Sequence, residues 1–164
     1  MRNHIKVLAV ILIMTLFAGI MYYPSAKVEA GSAPKEFSDV KLAPSSDGYK
    51  AIYWAVDKGV TTGIKNTDKF GPEDACTRSQ AVTFIWRLAG KPNPESKESK
   101  FSDIDAKFKK ERSDMYKAVL WATEKKIVAG YSDGTFRPNT KCTRAHIVTF
   151  LYRFAGKPDQ KKYS

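Results

Sequence analysis

Residues 142–158 read CTRAHIVTFLYRFAGKP, and residues 76–92 read CTRSQAVTFIWRLAGKP. Eleven of the 17 positions are identical, so one structural unit occurs twice and each copy informs the other. Each stretch carries helix punctuation at both ends. Thr77 and Thr143 suit the N-cap, and Gln80 completes a capping box in the first copy, where the second has His146. Val82, Ile85 and Trp86 recur at three- and four-residue steps, as do Val148, Leu151 and Tyr152, which is expected to give each helix a buried apolar stripe. Gly90 and Gly156 suit the left-handed residue that ends a helix, and Pro92 and Pro158 block its continuation.

The repeat extends upstream. Phe37-Ser38-Asp39-Val40 returns as Phe101-Ser102-Asp103-Ile104, and Ala51, Trp54, Lys58 and Gly63 return as Ala118, Trp121, Lys125 and Gly130. Phe70 and Pro72 return as Phe136 and Pro138. The offset drifts by only a few residues, so insertions fall in loops. A first helix is expected over about 48–58 in one copy and about 115–126 in the other, with Ala51, Ile52, Ala55 and Val56 forming its apolar face. Ser46 or Asp47 is expected to cap the first of these, and Asp114 the second. Gly59 stops the helix in the first copy, and Lys126 holds that place in the second. In the loop between helices Asp133-Gly134 is a tight-turn pair, and Phe70 and Phe136 are expected to plug the core. The fold class is all-α: two tandem helix–loop–helix repeats packed on each other, over 31–92 and 101–158. A polar linker spans 93–100, a tail spans 159–164, and Lys107, Lys109 and Lys110 read as a solvated connector.

Residues 1–30 have the features of an export signal. Arg2, His4 and Lys6 precede an apolar run from Val7 to Met21, and Val28-Glu29-Ala30 fits a cleavage site. Cleavage would leave a chain starting at Gly31; retention would leave a membrane anchor. Without those thirty residues the chain holds 25 Lys and Arg against 16 Asp and Glu, a balance of +9. Such a field favours polyanions, which outside the cell are wall polymers and lipid head groups rather than nucleic acid. Cys76 and Cys142 occupy equivalent places and are expected as buried thiols, a disulfide being the alternative.

The Phe-x-Asp opening, the aromatic-bearing helix, the loop GYSDGTFRP at 130–138 and the Thr-Arg helix start together resemble the S-layer homology repeat. The resemblance covers 37–92 and 101–158. It implies an extracytoplasmic, wall-associated module that binds acidic, often pyruvylated, secondary cell-wall polysaccharide. It also implies that Arg78 and Arg144, the arginines of the Thr-Arg motif, face the ligand groove between neighbouring repeats. A guanidinium at a helix N-terminus is suited to a carboxylate. The alternative is an Arg that ties its helix to Asp39 or Asp103.

Secondary candidates each carry a structural reading beside the binding one. Trp54 and Trp121 stack on sugar rings or belong to the core. Asp39 and Asp103 contact sugar hydroxyls or cap a turn. Gly63 and Gly130 admit ligand or simply permit the turn, and Lys58 and Lys125 are further anion contacts. Family modules have three repeats around a pseudo-threefold axis, whereas two are visible here, and Lys65-Asn66-Thr67-Asp68 replaces the Asp-Gly turn in the first loop. The second reading is therefore a secreted interaction module that pairs with its own kind, or with another chain bearing such repeats, to complete a three-repeat unit. No nucleophile motif or metal-ligand set is present, Cys142 and His146 lacking further ligands. The sequence is thus expected to be non-catalytic and without a cofactor.

Overall fold

The computed structural model describes residues 36–159. The expected leader and cleavage site, and residues 160–164 of the tail, lie outside the described residues. Five helices follow in chain order: α1 (Asp47–Asp57), α2 (Arg78–Leu88), α3 (Ala106–Glu111), α4 (Ser113–Glu124) and α5 (Arg144–Phe154). Among the described residues the only strand-like pairing is an antiparallel bridge between Thr77 and Lys141. The fold is all-α, as the doubled helix signals imply.

The helix ends follow the sequence closely. Thr77 accepts from the Gln80 amide while Gln80 Oε1 accepts from the Thr77 amide at 2.8 Å. His146 builds the same reciprocal box with Thr143, its Nδ1 standing in for the Gln oxygen. Ser46, rather than Asp47, caps α1. Gly59 and Lys126 share a left-handed conformation (φ 65° and 56°), so the second copy makes the same turn with a side chain in place.

Four expectations are corrected. Val148, Leu151 and Tyr152 do not form a buried stripe: they are exposed on α5, because among the described residues nothing covers that face. Phe136 plugs the core, but Phe70 is only half-buried and lies outside the core cluster. Lys107, Lys109 and Lys110 do not lie in a solvated connector: they belong to α3, which Asp105 caps through the Phe108 amide at 2.8 Å. Phe108 is buried and nails this short helix to the core, which explains why it forms at all. Asp114 does not cap α4. The cap position is Arg112, without a side-chain cap bond, and Asp114 lies in the first turn, where it pairs with Arg87 of the first repeat at 3.3 Å.

The core is shared between repeats. From α2, Val82, Ile85 and Trp86 enter the same cluster as Ala118, Val119 and Ala122 of α4, with Phe101, Ile104 and Phe136 closing it. Helix α2 packs on α4 and touches α5, and α3 packs on α4. Among the described residues α1 packs on no other helix. It is held by Phe37, whose ring stacks on Tyr53 at 5.9 Å and whose amide donates to the Tyr53 hydroxyl at 3.1 Å. The linker is largely exposed, yet the Glu124 carboxylate pins it by accepting from the Ser96 and Glu95 amides at 2.7 and 3.1 Å.

Candidate functional site at the repeat junction

Each loop is shaped by a carboxylate from the start of its own repeat. Asp39 accepts from the Phe70 and Gly71 amides, both at 2.8 Å. Asp103 accepts from the Phe136 and Arg137 amides at 2.8 and 2.7 Å. Both aspartates therefore serve the turn-capping role. The Phe70 amide bond, with that of Gly71, outweighs partial desolvation and holds the Asp39 carboxyl below its ordinary value. The glycines are steric. A Cβ at Gly63 or Gly130 would stand 2.7 Å from the carbonyl of Lys69 or Thr135 and press on the ring of Phe37 or Phe101.

The two motif arginines have different surroundings. Arg78 is 4% exposed. It ties neither to Asp39 nor to Asp103 but crosses into the second repeat's loop, where Nε donates to the Phe136 carbonyl at 3.0 Å and Nη2 to the Ala129 carbonyl at 3.1 Å. Its guanidinium is flanked by the rings of Phe136, Tyr131 and Phe150, with centroids 4.9, 5.0 and 5.5 Å away. The Arg78 and Ser79 amides, free at the helix start, donate to the Thr140 and Pro138 carbonyls at 2.9 and 3.0 Å. Loop carbonyls thus occupy the place an anion would take at that helix N-terminus. Arg144, by contrast, is exposed at the start of α5.

Sequence reasoning passed over Arg137 and Tyr131. Arg137 stacks on Tyr131 at 4.0 Å and donates to Asp133 at 2.8 Å. Hydrogen bonds from Thr135, then from Arg137, hold the Asp133 carboxyl far below the usual range. Arg137 takes a left-handed backbone (φ 59°) where the first repeat has Gly71 (φ 73°). That glycine-to-arginine difference is the signal the aligned repeats offered. Arg137 also borders an open groove of about 530 Å³, whose charged lining sets Lys107, Arg112 and Arg137 against Asp103, Asp105 and Glu111.

The remaining candidates are dispersed. Trp121 is buried in the core, while Trp54 on α1 is half exposed. Lys58 and Lys125 are exposed C-cap residues of α1 and α4, where the helix dipole favours a cation. Of the predicted residues, Arg78, Asp103 and Gly130 converge on the second repeat's loop, and Asp39 and Gly63 on the first. Both cysteines are free and half-buried at the junction, the Cys142 amide donating to the Cys76 carbonyl at 2.8 Å. Burial, then the neighbouring Cys142, pushes the Cys76 thiol up to about 11.

Comparison with known proteins identifies the family. A cellulosome-anchoring protein of Acetivibrio thermocellus is 35% identical over 88 residues, 54% of this chain and 19% of that protein. An endoglucanase of a Bacillus species is 31% identical over 147 residues, 89% of this chain and 14% of that protein. A cell surface protein of Thermoanaerobacter kivui is 27% identical over 164 residues, 97% of this chain and 20% of that protein. The chain thus spans a fifth or less of each of these relatives. No solved structure matches. The family model of the S-layer homology domain matches residues 36–82 and 109–147, more than half of the chain, and the chain belongs to the S-layer homology domain family.

Proposed function

We propose that the chain is a non-catalytic anchoring module of the cell surface that grips acidic, pyruvylated secondary cell-wall polysaccharide, with Arg144 as its principal anion contact. Membership of the family, and a relative whose name is cellulosome-anchoring protein, support the anchoring role. One observation carries the choice of residue. Of the two Thr-Arg arginines, Arg78 spends its donors on loop carbonyls, while Arg144 stands exposed at a capped helix start. There the free amides, the helix dipole and a guanidinium fork all favour a carboxylate.

The test is sedimentation with purified walls, intact or stripped of their acidic polymer, at low protein concentration. Arg144→Ala is expected to weaken binding to intact walls roughly tenfold, the value of a hydrogen bond to a charged group. Lys97→Ala, on the exposed linker, is the control and should leave binding unchanged. Equal binding to intact and stripped walls would overturn the reading.

A further inference from the structure

The contact between the two repeats has a direction: the second helix of the first repeat, α2, lies on the first helix of the second, α4. Among the described residues the same two surfaces recur largely open, on α5 and on α1. On α2, Val82, Ile85 and Trp86 are 0, 6 and 3% exposed. Their counterparts on α5, Val148, Leu151 and Tyr152, are 61, 45 and 37% exposed. Trp121 on α4 is 5% exposed, whereas its counterpart Trp54 on α1 is 50% exposed. Similar apolar sequence is thus buried at one junction and open on the outer helices, and open apolar patches of this kind mark association sites.

The polar rim of the junction recurs as well. Arg87 reaches from α2 to Asp114 in the first turn of α4, at 3.3 Å, while its Nη1 holds the Val60 carbonyl of its own repeat at 3.3 Å. Arg153 repeats the second bond, to Ile127, at 3.4 Å. It is the counterpart of Arg87, and the counterpart of Asp114 is Asp47, exposed in the first turn of α1. The two end surfaces therefore match each other in apolar stripe and in charge, as the two halves of the internal junction do.

We propose that a second copy of this chain covers these ends, α5 of one copy docking on α1 of the next in the geometry by which α2 docks on α4, with Arg153 facing Asp47 across the seam. Because the two surfaces differ, the contact is head-to-tail, and it closes into a ring or continues as a filament. Arg144 lies at the N-terminal end of the docking helix, so a docked copy and an anionic polymer contend for it.

The experiment is mass measurement by light scattering across a concentration series, on the exported full chain. The wild type is expected to grow from monomer to dimer or larger as concentration rises. Asp47→Arg and Arg153→Glu, each alone, place like charges across the seam and should weaken association roughly tenfold or more. An equimolar mixture of the two variants restores opposite charges at every alternating seam and should recover wild-type association. Leu151→Glu should abolish association while leaving the helical circular dichroism of the monomer intact, since Leu151 is already solvent-accessible there. A wild type that stays monomeric throughout overturns the proposal. So does self-association that neither charge variant weakens, or that mixing the two does not rescue, because another surface or a symmetric contact would then be responsible.

Discussion

Arg78 and Phe136 are locked together across the repeat boundary: Arg78 Nε donates to the Phe136 carbonyl at 3.0 Å, and the guanidinium lies 4.9 Å from the centre of the Phe136 ring. Phe136 is itself fully buried, and its amide donates to Asp103. One aromatic residue thus joins the opening of the second repeat, its loop and the second helix of the first repeat. The Thr-Arg motif at this position is a fastener.

Removing that fastener should cost stability. Arg78→Ala strips the Phe136 and Ala129 carbonyls of their charged donor in a dry setting and leaves a cavity among three rings, for a loss of about 3 kcal/mol. Arg144→Ala, at an exposed site, should change unfolding free energy by less than about 0.5 kcal/mol. Urea unfolding followed by circular dichroism separates the two. Equal effects would mean that the inner arginine does not hold the junction.

Much of this was legible beforehand, and the exceptions share a cause. Caps and stops are local, and Thr77, Gln80, Gly90 and Phe136 took the places their chemistry implies, whereas Phe70 stays half-buried and the stripe of α5 lies open for want of a covering surface. The destiny of Arg78 depends on which surface the next repeat presents, and no local pattern encodes that. Asp114 carries a capping residue's chemistry but is claimed by Arg87, 27 positions away in sequence. Helix α3 is too short and too charged to show periodicity, and only the Asp105 cap followed by Phe108 betrays it. Trp54 and Trp121 hold the same place in the helix pattern, yet α4 has a packed neighbour and α1 has none among the described residues, and Trp121 also meets Phe154 where the first repeat has Leu88.

Acid should loosen the loops before the helices. The Asp39 carboxyl is held below its ordinary 3.8, chiefly by the Phe70 amide. Desolvation works to raise Glu124, but the Ser96 and Glu95 amides together outweigh it and hold that carboxyl below 4.5. A carboxyl whose folded value is depressed adds stability that is complete above its unfolded value and is lost as pH falls through the folded one. Stability should therefore be flat with respect to these groups from about pH 7 to 5 and decline below about pH 4. Asp39→Asn should weaken the pH dependence below pH 4 while lowering stability at neutral pH. An unchanged acid limb in that variant would assign the dependence to other groups.

The loop glycines should differ in cost for separable reasons. Gly130→Ala places a Cβ 2.7 Å from the Thr135 carbonyl and against the Phe101 ring, so the loop must shift away from the core. At Gly134 nothing stands within 4 Å of a Cβ, and only the left-handed φ of 79° opposes a side chain. Thermal melts should show a loss of about 1–2 kcal/mol for Gly134→Ala, largely recovered by Gly134→Asn, which tolerates that conformation. The loss at Gly130 should be larger, with no rescue by Asn. Similar behaviour at both sites would contradict a steric role for Gly130.

The two tryptophans give the most direct reading of the asymmetry between repeats. Trp121 fills the shared core, and its ring meets Phe154 edge-on at 6.3 Å. Trp121→Ala removes a large buried aromatic and should cost about 3–5 kcal/mol. Trp54 occupies the same helical position on α1 with half its surface in water, so Trp54→Ala should cost under about 1 kcal/mol in dilute, monomeric protein. Fluorescence offers an independent check, because acrylamide should quench Trp54 readily and Trp121 poorly in the corresponding single-tryptophan variants. The contrast should also depend on concentration. If α1 is covered by a second copy, raising protein concentration should shield Trp54 and increase the cost of Trp54→Ala, while Trp121 stays as it was. A Trp54 quenched to the same low extent as Trp121 in dilute monomer would show that α1 is already covered within a single chain, and the open end of the first repeat would then not exist.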